Sequence, residues 1–151
     1  MAKMEKDEWC SCPFRYAVTA FVDKWSLLIL RDMNFLGRKR YSEFLKAEEG
    51  ISTNILADRL DRLVTQTILE KQPDVENPGK QIYVLTKKGR DLLPILLDIV
   101  RWSHKWDQDT VVEDEFIAEI NDNPVKFVAD FYDKGMMNVC PEEDHICTGT
   151  V

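Results

Sequence analysis

Long apolar runs are missing from this chain of 151 residues, and no stretch is long enough to cross a bilayer, so no membrane partner is expected. Histidine is scarce, with only His104 and His145. A glycine-rich phosphate loop, a nucleophile elbow and a metalloprotease helix are all lacking, so neither an enzyme activity nor a cofactor is expected. Met1 to Glu8 is charged and lacks the apolar run of a secretory signal, so export is not expected and a cytoplasmic location is. Internal repeats and low-complexity tracts are absent too. The four cysteines are expected to be reduced in that compartment rather than joined as staples. Cys10-Ser11-Cys12 and the set Cys140, His145 and Cys147 do not match the tighter ligand spacings of structural zinc motifs, and no metal is expected.

What is present is most informative between residues 51 and 89. Ser52-Thr53-Asn54 are good capping residues, and Ile55, Leu56, Leu60, Leu63 and Val64 follow at the spacing of one helical face. Away from that face lie Thr53, Asn54, Ala57, Asp58, Arg59, Asp61 and Arg62, with short groups suited to base edges and longer ones suited to phosphates. A lone segment of this kind is an ordinary amphipathic surface helix. Its surroundings point elsewhere. Leu69 to Gln72 and Gln81 to Leu85 read as strands joined through Asn77-Pro78-Gly79, a strong turn signal. Upstream, Tyr41 to Glu48 reads as a short helix, linked tightly through Glu49-Gly50 to the serine-capped one. The order is helix, turn, helix, hairpin, in a chain that is mainly α with a small β-hairpin.

Several separate blocks in this order carry a resemblance: Cys12-Pro13, Lys24 to Arg31, Arg40-Tyr41-Ser42-Glu43-Phe44, Gly50-Ile51-Ser52, and Leu85 to Arg90 with Leu92-Leu93-Pro94. Residues 12 to 106 resemble the HxlR-type family of bacterial winged helix-turn-helix transcription regulators. The chain departs from that family at Val22-Asp23, where two glycines are usual, so a differently shaped turn is expected there. The resemblance implies a winged helix-turn-helix domain at 12–106 with a C-terminal dimerisation helix. Around it lie an N-terminal arm at 1–11 and an acidic, partly helical tail at 107–151. It also implies that Cys12, at the family's Cys-Pro position, is a candidate sensor of oxidants or electrophiles; the other reading is a half-buried packing cysteine, and the residues leave both open.

A net charge of -7 argues on average against a nucleic-acid partner. The average hides a division. Residues 13 to 105 hold 16 Lys and Arg against 12 Asp and Glu, net +4, and the remainder holds 4 against 15, net -11. Within the basic part, Arg38-Lys39-Arg40, Arg59, Arg62, Lys80 and Lys87-Lys88 outline a phosphate-facing surface. Base reading is assigned to Ser52, Thr53 and Asn54, and backbone contact to Arg38, Lys39, Arg40, Arg59, Arg62 and Lys80. Arg62 follows Asp58 by four residues and is expected to neutralise it.

From Arg90 onward the apolar residues exceed what one face of a helix buries in a small domain. A second chain is the expected cover, through Tyr16, Leu96, Ile99, Val100, Trp102 and Trp106; the other reading is cover by the chain's own tail. A homodimer also suits a pseudo-palindromic operator in double-stranded DNA. A redox or small-molecule effector is a further candidate partner. The expected function is a dimeric, sequence-specific transcription regulator. The alternative is a winged-helix protein-interaction module that does not bind DNA. In the tail, Glu113 to Ile120 and the segment after Asn123-Pro124 are expected to be helical.

Overall fold

The computed structural model describes residues 12–134. Its elements run α1 (Pro13–Ala20), α2 (Lys24–Phe35), α3 (Tyr41–Leu45), α4 (Thr53–Thr65), β1 (Leu69–Pro73), β2 (Gln81–Leu85), α5 (Lys87–Arg90), α6 (Leu93–Trp106), α7 (Asp114–Asp122) and α8 (Pro124–Phe131). The elements begin where local chemistry allows. Ser52 accepts a hydrogen bond from the Ile55 amide at 3.3 Å, and Asn123 accepts one from Lys126 at 3.0 Å ahead of Pro124. Each thereby satisfies an amide that the first turn leaves unpaired. β1 and β2 form an antiparallel pair with Leu69 opposite Leu85 and Pro73 opposite Gln81.

One hydrophobic core runs through the molecule. Leu56, Leu60 and Leu63 of α4 are completely buried, together with Leu30 of α2, Phe44 of α3, Ile68 and Leu69 at the start of the hairpin, and Leu93 and Leu97 of α6. Such burial is worth about 1.5–3 kcal/mol per side chain. The hairpin closes tightly onto α5. A Cβ added at Gly89 would lie 2.3 Å from the Ile68 carbonyl oxygen, so glycine alone permits that approach.

One expectation is revised. α3 ends at Leu45 instead of reaching Glu48, because the chain tightens into three-residue turns: Ala47 donates to the Phe44 carbonyl and Gly50 to that of Ala47. Gly50 then takes a φ of 68°, a left-handed conformation that costs glycine little. Ile29, Leu30 and Met33 are buried, whereas Trp25 and Leu27 are only partly so, and Tyr16 on α1 stands outside the core.

The helices after residue 107 share the main core. Phe116, Ile120 and Phe131 are buried in it, and Phe131 meets Phe35 edge-on at 5.8 Å. Arg101 of α6 donates to Asn121 Oδ1 at 2.8 Å and to the Ile120 carbonyl at 2.5 Å, holding the end of α7. At the far end Tyr132 donates to Oδ1 of the buried Asn34 at 2.7 Å, while Asn34 Nδ2 donates to the Leu30 carbonyl at 2.8 Å. Burial pushes the Tyr132 phenol up to about 12, so it remains a donor. Tyr132→Phe should cost about 1–3 kcal/mol by stranding the buried Asn34 oxygen, read as a lower thermal midpoint with unchanged helical content.

Candidate nucleic-acid interface

α4 offers its first turn outward because its apolar face is spent on the core. Ser52, Thr53 and Asn54 are all exposed, with Ala57, Asp58 and Asp61 continuing the same open side. The unpaired amides of that first turn and the short side chains beside them form a tip that suits phosphate oxygens and base edges.

Two consecutive residues place the rest of the surface around this tip. Arg40 reaches the hairpin turn: its Nε donates to Asp74 Oδ2 at 2.6 Å, and its guanidinium also meets Glu76 and, at 3.2 Å, Glu43. Tyr41 reaches the other way, its hydroxyl donating to the Thr53 carbonyl at 3.0 Å. The loop before α3 also runs beside β2, where the Tyr83 amide donates to the Lys39 carbonyl at 2.8 Å. Phe44 and Tyr83 pack edge-on below it. The hairpin is thus fastened to the segment that also touches the start of α4.

The basic residues expected to grip phosphates divide into two groups. Lys39 and Lys80 have no ion-pair partner among the described residues; Lys39 is half-buried and Lys80 is exposed beside the hairpin turn. The arginines are otherwise engaged. Arg38 pairs with the buried Asp32 at 2.8 Å, and Arg40 with the Asp74 group. Arg59 donates to Asp23 Oδ1 at 3.0 Å and also meets Asp58. Arg62 donates to the Thr19 carbonyl and, at 2.7 Å, to that of Val18. The expected Asp58–Arg62 pair is therefore replaced by Asp58–Arg59. The reason is that the last carbonyls of α1 lack helical partners and draw a cation to that helix end. Each of these four guanidinium groups thus spends part of its donor set within the protomer, which fixes its direction.

Asp23 carries no expected role beyond its departure from the family's glycines, and Asp74 carries none. A sequence signal existed for Asp23, an acidic residue just ahead of the apolar run of α2, where it accepts from the Trp25 and Ser26 amides at 3.1 Å each. Asp74 offered only its place in a turn. Hydrogen bonds from Arg40 pull the Asp74 carboxyl far below the ordinary carboxylate range, against the opposing effect of burial.

The proposed pairing face is equally explicit. Ile95, Ile99, Trp102 and Trp106 form a stripe at helical spacing along α6, all exposed, and Phe14, Tyr16 and Val18 are exposed on α1. Residues 107–134 pack elsewhere and do not cover it. Val100 is half-buried, and Leu96 is 5% exposed, spent in the protomer's own core, so Leu96 is withdrawn from the stripe. Cys12 is exposed at the N-cap of α1 and its side chain caps no amide. Cys10, Cys140, His145 and Cys147 lie outside the described residues. None of the described helices is long and apolar enough to cross a membrane.

A sequence model of the HxlR-like helix-turn-helix family matches residues 21–111. The chain is similar to YodB, an HTH-type transcriptional regulator of Bacillus subtilis, with 34% identity over 107 residues, covering 69% of this chain and 95% of YodB. It is 35% identical over 95 residues to an HTH-type transcriptional regulator of Synechocystis sp., covering 63% of this chain and 70% of that protein. Among solved structures, the oxidised form of HypR, described as a redox regulator, aligns with a TM-score of 0.57 and 27% identity over 66% of this chain and all of its own.

Asp74→Asn should loosen the hairpin turn and lower the thermal midpoint. Because the folded carboxyl is held below its ordinary value, its contribution is fully present above about pH 4 and is lost as pH falls through the folded value. The gap in midpoint between wild type and Asp74→Asn should accordingly be constant from neutral pH down to that point, then shrink on further acidification.

Proposed function

Because the chain belongs to the HxlR-like helix-turn-helix family, we propose that this transcription regulator, which is not an enzyme, reads a pseudo-palindromic DNA operator as a homodimer. Ser52, Thr53 and Asn54 enter the major groove and read base edges; Lys39 and Lys80 hold the backbone on either side of the loop-to-hairpin junction. The observation that carries this reading is the Arg40-Tyr41 pair, which ties the hairpin turn to one side and the start of α4 to the other. A groove-reading tip and a backbone-holding hairpin need that fixed relation, since a duplex presents groove and phosphates at set spacings.

Pairing through α1 and the α6 stripe accounts for Trp102 and Trp106, each about two-thirds exposed, which are costly to leave in water. Two-fold pairing also doubles the number of base contacts that one short helix makes alone. Cys12 starts α1 beside this face, and the similarity to HypR supports a role for its thiol in an oxidant or electrophile response. A cytoplasmic location follows from a DNA target.

The reading is tested by binding to genomic duplex fragments as salt is raised, with the selected site then sequenced. A steep fall in affinity supports it, and salt-independent or absent binding favours the protein-interaction alternative. Asn54→Ala should cost about 1–3 kcal/mol of discrimination at one base position and leave the salt dependence unchanged. Lys80→Ala should weaken all sequences alike and reduce the salt slope by about one. Trp102→Asp should weaken self-association more than about tenfold in sedimentation, without loss of the folded protomer.

A further inference from the structure

α4 carries two basic residues, Arg59 and Arg62, and both turn away from its open side toward the junction of α1 and α2. Its two carboxylates do the opposite: Asp58 and Asp61 are exposed. The open side of α4 therefore carries both carboxylates, Asp58 paired with Arg59 and Asp61 3.5 Å from Lys71 of the hairpin, while both guanidinium groups reach toward the junction. At the junction sits Asp23. Its Oδ1 accepts from the Trp25 and Ser26 amides and from Arg59 Nε at 3.0 Å, while its Oδ2 accepts no hydrogen bond and lies 3.6 Å from Arg62 Nη1. Burial pushes the Asp23 carboxyl up, but hydrogen bonds from Ser26 and Arg59 outweigh it and hold the group ionised.

Capping α2 does not call for a charge at position 23. Asparagine or serine caps a helix as well as aspartate does, because the cap needs only an oxygen that accepts from the first-turn amides. The carboxylate's remaining effect falls on the arginines. Arg62 is also held by the Val18 and Thr19 carbonyls, whereas Arg59 has only Asp23 and the exposed, solvent-screened Asp58.

We propose that Asp23 is a positioning residue that withholds Arg59 from the DNA backbone, lowering sequence-independent affinity so that binding depends on the first turn of α4 and the hairpin lysines. Sequence-independent binding comes from cations that displace counterions at phosphates, so one arginine held back removes one such contact. The inference rests on the DNA-binding reading above and deepens it.

The test uses the full chain and a random-sequence duplex, with affinity measured by fluorescence anisotropy across salt concentrations. Asp23→Asn keeps the cap and should bind more tightly, with a log–log salt slope steeper by about one, equivalent to roughly fourfold more loss between 50 and 200 mM salt. Arg59→Gln alone should leave the wild-type slope unchanged, and in the Asp23→Asn background it should abolish the increment. A folded Asp23→Asn protein with the wild-type slope overturns the proposal. So does a slope that drops by about one in Arg59→Gln alone, a result that does not depend on whether Asp23→Asn folds. Failure of the wild type to bind duplex at low salt would instead overturn the DNA-binding reading itself.

Discussion

Complete burial of Leu56, Leu60 and Leu63 against α2, α3 and the start of the hairpin is the constraint on which the rest of the molecule depends. Three leucines on one face leave α4 a single way to lie, and that way aims its first turn at solvent. The same burial brings Ile68 and Leu69 into the core directly after α4, so the hairpin must leave from a fixed point. Gly89 then lets α5 close on the Ile68 carbonyl, which fixes where the hairpin ends. The exposed tip of α4 and the placement of the hairpin are thus outcomes of one packing problem.

Charge is organised on top of that packing by three acidic residues. Asp23 at the cap of α2, Asp32 within α2 and Asp74 in the hairpin turn each hold arginine, joining α2 to α4, α2 to the following loop, and the α3 entry to the hairpin turn. A planar guanidinium suits such multiple, directional contacts, whereas a lysine ammonium remains hydrated and mobile. The lysines Lys39 and Lys80 stay available while the arginines become struts. A net count of +4 over residues 13 to 105 therefore overstates the positive charge that a duplex would meet on α4 and understates the part played by two lysines.

The extension after residue 107 adds a second tier to the same core. Phe116, Ile120 and Phe131 fill the space beside α2 and α6, and the Tyr132–Asn34 hydrogen bond closes it across 98 residues of sequence. This leaves the outward stripe of α6 uncovered by residues 107–134. Local order was readable here, since Asn123-Pro124 begins α8 as a cap followed by a first-position proline. Which side of the molecule that helix would cover was not readable, because its apolar residues fit more than one face.

By itself the sequence determined the elements and their order. Ser52 as a cap, Pro78-Gly79 as a turn and the leucine spacing of α4 act over a few residues, and local chemistry of that range is written in the chain. It also carried the family blocks, and with them the winged helix-turn-helix architecture. Only the tertiary structure decided the partners of Arg38, Arg40, Arg59 and Arg62, the withdrawal of Leu96 into the core, and the early end of α3 at Leu45. Those outcomes depend on which carboxylate or carbonyl lies within about 3 Å of a long side chain once distant segments meet, and that distance has no signature in a linear order of residues.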